Sequence, residues 1–379
     1  LNKDRWYGVL IRLAWGSFFL GIALQQALVF SLLLLRLLDA LPRSRGGPAR
    51  MAPGSWAVLL ALCATAFSAL AFSRRQGFEG GADFLWPLIA YWAIPAQQWI
   101  RLSWRSLCWT MLLMALPGLL LSLLTLAGVS HPALPYLRGS GFLSSPAVFW
   151  QGYLICSCWA LAFLQHVARK REGFALLLFL FAIGTSFYLS GNALALLLNM
   201  ILLAAFLLQI FLPARVVPLA APLLLLAGLA AIWIFGLSAM GREAWLLELQ
   251  QAIGVFRDHP LLGTSHGQFG LYLSGHPAPP NLILGLPAEF GLIGCLLFLP
   301  ALAVALDPWN PWRKGVELPW PTLAVRNVSL LFLLSSFFHY NIGHTSLLLF
   351  YVLHWAAWKQ NLDPQLSTQV PAPEALATP

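Results

Sequence analysis

Between Gly241 and Leu299 a polar, charge-bearing stretch interrupts a chain that otherwise reads as one apolar run after another, and it gathers side chains able to do chemistry. His276, set between Gly275 and Pro277, is a candidate general base, because a neutral imidazole accepts a hydroxyl proton near neutral pH; the plainer reading is an exposed loop residue. His266 is a second candidate, and His259, in a turn before Pro260, a third. Arg242 lies at a predicted helix end, where a guanidinium either holds an anionic group through its planar fork or snorkels to lipid headgroups. Arg138 stands on another predicted outer loop, where one arginine needs no special reason, and Arg257 beside Asp258 reads as polar surface. Glu289 precedes Phe290 and Gly291 at a predicted helix start, where a carboxylate complements the helix dipole. Gly263, Gly267 and Gly270 permit turns. His259, His266, His276, His339 and His344 fall on one side of the chain's topology, but no i, i+4 pairing with carboxylates marks a metal site.

The elements that must position these residues follow from composition. With 59% hydrophobic residues, 9% charged residues and a mean hydropathy of +0.76, the chain does not suit a soluble domain and reads as a polytopic all-α membrane protein. Apolar runs of spanning length recur at 54–72, 84–100, 107–129, 146–166, 174–189, 193–212, 218–238 and 282–306. Gly8–Leu38 extends about 46 Å as one helix against a hydrocarbon core of about 30 Å, so it is read as two helices turning near Gln25 and Gln26. The run 327–358 carries His339, Asn341, Gly343 and His344 at its middle and is read as two helices joined by a turn. The expectation is about twelve transmembrane helices in a domain over 1–362, which includes an outer loop at 239–281, and a disordered cytoplasmic tail over 363–379.

On that topology 17 of the 22 Lys and Arg residues fall on one side, which the insertion bias makes cytoplasmic, with both termini there and the loop 239–281 outside. The net charge of +9 is then an insertion signal with some attraction to anionic membrane lipids, and no nucleic-acid partner is expected. All five cysteines lie in apolar runs and act as small hydrophobes, with no disulfide framework indicated. No cleavable signal peptide is read in the first span, and no Walker loop or dinucleotide fingerprint occurs, which disfavours an ATP-driven pump.

Five short motifs in order carry a resemblance. They are Gly241-Arg-Glu-Ala-Trp245, Phe256-Arg-Asp-His-Pro-Leu-Leu-Gly263, His266-Gly-Gln-Phe269, Asn281-Leu282 and Ala288-Glu-Phe-Gly-Leu-Ile-Gly294. Together they resemble the signature region of the O-antigen ligase and polymerase family, which also includes the bacterial pilin O-oligosaccharyltransferases. The likeness covers roughly 130–360, with Arg138-Gly-Ser-Gly-Phe142 similar to the family's arginine-containing outer segment. It implies a GT-C-like fold in a bacterial inner membrane with its active site facing the periplasm. It also implies an enzyme that moves a glycan from undecaprenyl pyrophosphate to an acceptor hydroxyl, on lipid A-core or another molecule, without nucleotide sugar, metal or other cofactor. On this reading Arg242 and His276 are catalytic, while Arg138, His266, Asn281 and Glu289 contact substrate. A pyrophosphate leaving group gathers negative charge as the glycosidic bond breaks, and a fixed guanidinium answers it with bidentate geometry that Lys lacks.

Two positions depart from the family pattern. Its His-Asn pair reads Pro280-Asn281, and its Ser-Arg at the outer end of a central helix reads Gly191-Asn192. Either His276 has taken over the histidine role from a shifted loop, or the chain is a divergent member of altered or lost activity. The alternative to a transferase is a non-catalytic or transport protein of the same fold. A transporter more usually shows broken helices with charges near the membrane midplane, and Gln25, Gln26 and Asn199 are uncharged.

Overall fold

The computed structural model describes residues 3–40, 86–87, 89–94, 98, 102–128, 146–167, 169–212, 226, 230, 242–264, 269, 281–309, 320–336 and 345–358. Among them every regular element is a helix: α1 (Lys3–Gly16), α2 (Ile22–Ala40), α3 (Trp104–Leu126), α4 (Pro146–Leu164), α5 (Lys170–Leu189), α6 (Ala193–Phe211), α7 (Arg242–Asp258), α8 (Leu282–Leu306), α9 (Trp320–Ser335) and α10 (Thr345–Ala357). Of these, α3, α5 and α6 are long and apolar enough to cross a membrane, and shorter apolar helices cover 22–38, 148–164, 282–296, 320–335 and 347–357. The chain is thus all-α with helices of membrane-spanning length and composition. The expected span at 54–72, all of 218–238 but Leu226 and Ala230, nearly half of 84–100 and the tail 363–379 lie outside the described residues, so the expected twelve helices are not all on view.

Local sequence explains where the helices stop. The first apolar run does divide, but at a 3-10 turn over Ser17–Leu20 followed by Gly21 at φ 126°, four residues before the expected glutamines. Only glycine takes that backbone conformation cheaply, whereas Gln25 is buried inside α2. Between α5 and α6, Gly191 turns the chain at φ 66° and the Asn192 carboxamide oxygen accepts from the Ala195 N–H at 2.9 Å. This is a glycine C-cap run directly into an asparagine N-cap. Gly191 and Asn192 therefore serve the tight turn between these two helices. α9 ends at Ser335 and α10 begins at Thr345, on either side of the expected turn.

The core lies along α4, α9 and α10, which are buried almost all round, while α3, α5 and α6 each keep an exposed apolar face. Gly152 lets α4 approach the 3-10 turn so closely that a Cβ there would sit 2.2 Å from the Phe18 ring, and Phe18 in turn stacks on Phe350 at 4.7 Å. Tyr153 donates to the Ala115 carbonyl at 2.7 Å and so ties α4 to α3. His354 is fully buried: Trp159 Nε1 donates to its Nε2 at 2.8 Å, which leaves Nδ1 to donate to the Phe350 carbonyl at 2.7 Å. Cys108, Cys156 and Cys158 are buried free thiols and Cys295 is half-buried, while Cys63 lies outside the described residues.

Arg326, one of the 17 basic residues on the side read as cytoplasmic, lies inside α9 and is buried. Its Nε donates to the Pro308 carbonyl at 2.6 Å, its own carbonyl accepts from Trp309 Nε1 at 2.8 Å, and its guanidinium lies over the Trp309 ring. Trp358 Nε1 also donates to Asp307 at 2.8 Å. The turn Asp307–Trp309 thereby joins the ends of α8, α9 and α10. Arg326 is six residues, or about 9 Å, from the start of α9, so it belongs to one end of the bundle and not to its middle.

Candidate functional site

The polar stretch contains a helix of its own. α7 begins at Arg242, whose backbone alone is described, and ends at Asp258, with Arg257 and Asp258 exposed as expected of a polar surface. The next turn is built from backbone hydrogen bonds: the His259 N–H donates to Val255 at 3.0 Å, and the Gly263 N–H donates to His259 at 3.0 Å. Gly263 sits at φ 65°, which closes the turn.

This turn enters a break in α8. Gly291, at φ 61° and ψ −167°, interrupts the helix, so that 282–290 and 292–306 are two half-helices. In an unbroken helix the Leu292 N–H would donate to Ala288. Here Leu292 donates to the Pro260 carbonyl at 2.9 Å, Ile293 donates to the Leu261 carbonyl at 3.1 Å, and the freed Ala288 carbonyl accepts from the Thr264 N–H at 3.0 Å. The ladder bonds lost at the break are thus replaced by bonds to Pro260–Thr264, which is the condition for breaking a helix in an apolar setting. The contact leaves no room for side chains. A Cβ on Gly263 would lie 2.3 Å from the Glu289 carbonyl carbon, and one on Gly291 would lie 2.4 Å from that of Leu261. Two of the motifs, Pro-Leu-Leu-Gly263 and Ala288-Glu-Phe-Gly291, therefore interlock backbone to backbone. A third joins them through Phe269, which is buried in a small cluster with Ala252, Val255 and Ala288.

The expected site residues divide. Asn281 is buried at the start of α8, where its side-chain oxygen accepts from the Leu284 N–H at 2.9 Å while the Leu282 N–H donates to the Ser336 carbonyl at 3.0 Å. Its oxygen is thus an N-cap, which gives the side chain a structural task at the start of α8. Glu289 is fully buried inside α8, two residues before the break at Gly291 and not at the start of the helix. His266, His276 and Arg138 lie outside the described residues. No group of three or more His, Cys, Asp or Glu side chains able to hold a metal occurs among the described residues. Sequence reasoning passed over the break at Gly291 and the burial of Phe269. The glycine inside an apolar run was the available signal for the first, whereas nothing in the spacing marked the second.

No model of a known protein family matches the chain, and no curated protein matches it.

Proposed function

We propose that the protein transfers a glycan from a polyprenyl pyrophosphate to an acceptor hydroxyl at the outer face of a bacterial inner membrane, as an O-antigen ligase-like enzyme of about twelve helices and GT-C-like architecture. The observation that carries this reading is the interlock of Pro260–Thr264 with Ala288–Ile293. Motifs that in sequence are only similar to a family's signature pack backbone to backbone here and join a polar helix to an apolar one. Arg242 is the first residue of that polar helix. An anion placed at the start of that helix is met by its first-turn N–H groups, and the resemblance assigns it the Arg242 guanidinium as well. A lipid pyrophosphate satisfies that arrangement, and the charge it develops on leaving makes the contact stronger in the transition state than in the ground state. His276 then takes the acceptor proton. The acceptor is lipid A-core or another hydroxyl-bearing molecule, and no metal or nucleotide sugar takes part.

The test is reconstitution of the purified protein in vesicles with an undecaprenyl-pyrophosphate oligosaccharide and lipid A-core, followed by detection of the glycosylated acceptor. Product that depends on the protein and needs no divalent cation supports the reading. No product from several donors and acceptors, with the carrier nonetheless bound, moves the non-catalytic alternative ahead.

A further inference from the structure

Where α3 and α5 begin, two arginines pair with one acid, and two more basic residues stand beside it in sequence. The Glu172 carboxylate pairs with Arg105 of α3 and lies 3.7 Å from Arg169, while Lys170 and Arg171 complete the group. Arg105 and Arg169 remain 51% and 76% exposed, Lys170 and Arg171 are exposed too, and the five side chains sum to a formal charge of +3. The one carboxylate holds two guanidiniums side by side and neutralises only one.

The same helix continues upward as an apolar face. Phe174, Leu177, Leu178 and Phe181 are exposed, at helical spacing above Lys170 and Arg171, while Leu176, Phe179 and Ile183 turn inward. Phe181 is ten residues from Arg171, or about 15 Å, which is half of a hydrocarbon core of about 30 Å and so one leaflet deep. Tryptophans mark the level of the basic group: Trp104, next to Arg105, and Trp320 are each partly exposed, and both pack on the buried Trp159. Indoles gather at the boundary between headgroups and hydrocarbon. With α5 spanning a membrane from its first turn, the cations fall at headgroup depth and the apolar face rises directly above them.

We propose that this face of α5, with Arg105, binds an anionic phospholipid, its phosphate among Arg105, Arg169, Lys170 and Arg171 and an acyl chain along Phe174, Leu178 and Phe181. A soluble anion would use the cations and leave the apolar face idle, and a zwitterionic lipid would do the reverse. Only a lipid with net negative charge meets both. The site is separate from the interlock at α7 and α8 and does not depend on the glycan-transfer reading.

A Leu178→Cys variant, with the other cysteines replaced by alanine, carries a fluorophore at the centre of the face. It is placed in phosphatidylcholine bilayers containing a minor fraction of brominated phosphatidylglycerol or, in parallel, brominated phosphatidylcholine. Quenching is expected to report local enrichment of the anionic lipid of at least about fivefold, the effect of a single basic side chain at an anionic surface. The enrichment should decline at high salt. The substitutions R169Q, K170Q and R171Q together, which are exposed and leave the Arg105–Glu172 pair in place, should bring quenching by the two lipids to equality. Equal quenching in the unsubstituted protein overturns the proposal, and so does enrichment that survives the three substitutions.

Discussion

Arg242 and His276 are assigned different work, and their substitutions should fail in different ways. If Arg242 holds a pyrophosphate through a planar fork, Arg242→Lys keeps the charge but not the geometry, and it should lower transfer nearly as far as Arg242→Ala. Loss of one such contact costs about 2–4 kcal/mol in the transition state. Turnover in the reconstituted assay, at equal membrane abundance, decides the matter: full activity in the lysine variant makes Arg242 a headgroup anchor. His276→Ala should reduce transfer by about 10²–10⁴-fold, the range for a general base, while the lipid carrier still binds. His276→Gln keeps a hydrogen bond but carries no proton, and should fail almost as badly, with the same changes at His266 doing less. Full activity in both His276 variants assigns proton removal elsewhere and leaves electrostatic stabilisation by arginine as the main term. Asn281 stands apart from these two, because the structure already gives its side chain a local task as a helix cap.

The interlock makes a prediction at the level of elements. Gly191, Gly263 and Gly291 all have φ near +60°, but a Cβ at Gly191 meets nothing within 4 Å, whereas at the other two it strikes backbone. Gly191→Ala should therefore cost only the conformational penalty of about 1–2 kcal/mol. Gly263→Ala and Gly291→Ala add the displacement of packed backbone, a further 1–3 kcal/mol or so. Thermal unfolding in detergent should rank the two interlock variants well below Gly191→Ala, and equal midpoints for all three would show that the close approach is not needed. The limits of the sequence reading have the same physical origin. Hydropathy located α8 at both ends, since 282–306 is apolar throughout, but composition carries no record of where the hydrogen-bond ladder is cut. The turn in the first apolar run was misplaced because polarity suggested Gln25, when the backbone freedom lay at Gly21. Arg326 was read as a loop charge because charge stands for water in such patterns. In the fold it is held by a carbonyl and an indole ring instead.

At the scale of the whole molecule, two asymmetries bear on orientation. Helices α4, α9 and α10 are buried almost all round, and the faces of α3, α5 and α6 left exposed are apolar, as the radial order of a bundle in lipid requires. Along the other axis, 17 of 22 basic residues fall on one side of the topology read from sequence. Moving Arg326 from a loop into the end of α9 removes it from that count without altering the bias. The active-site placement depends on this axis, because a carrier-linked glycan presented outside meets Arg242 only if α7 faces outward. Single cysteines at Ser274, within the loop 239–281, and at Ser44, between the first apolar pair and the next span, separate the two orientations. In intact cells, with the native cysteines replaced, a membrane-impermeant thiol reagent is expected to label Ser274→Cys and to spare Ser44→Cys until the membrane is opened. Labelling of Ser44→Cys alone would reverse the molecule, set Arg242 and His276 against the cytoplasm, and end the case for a periplasmic transferase. The lipid site at the foot of α5 would survive that result, since both leaflets carry phospholipid and its argument uses only depth, charge and exposure.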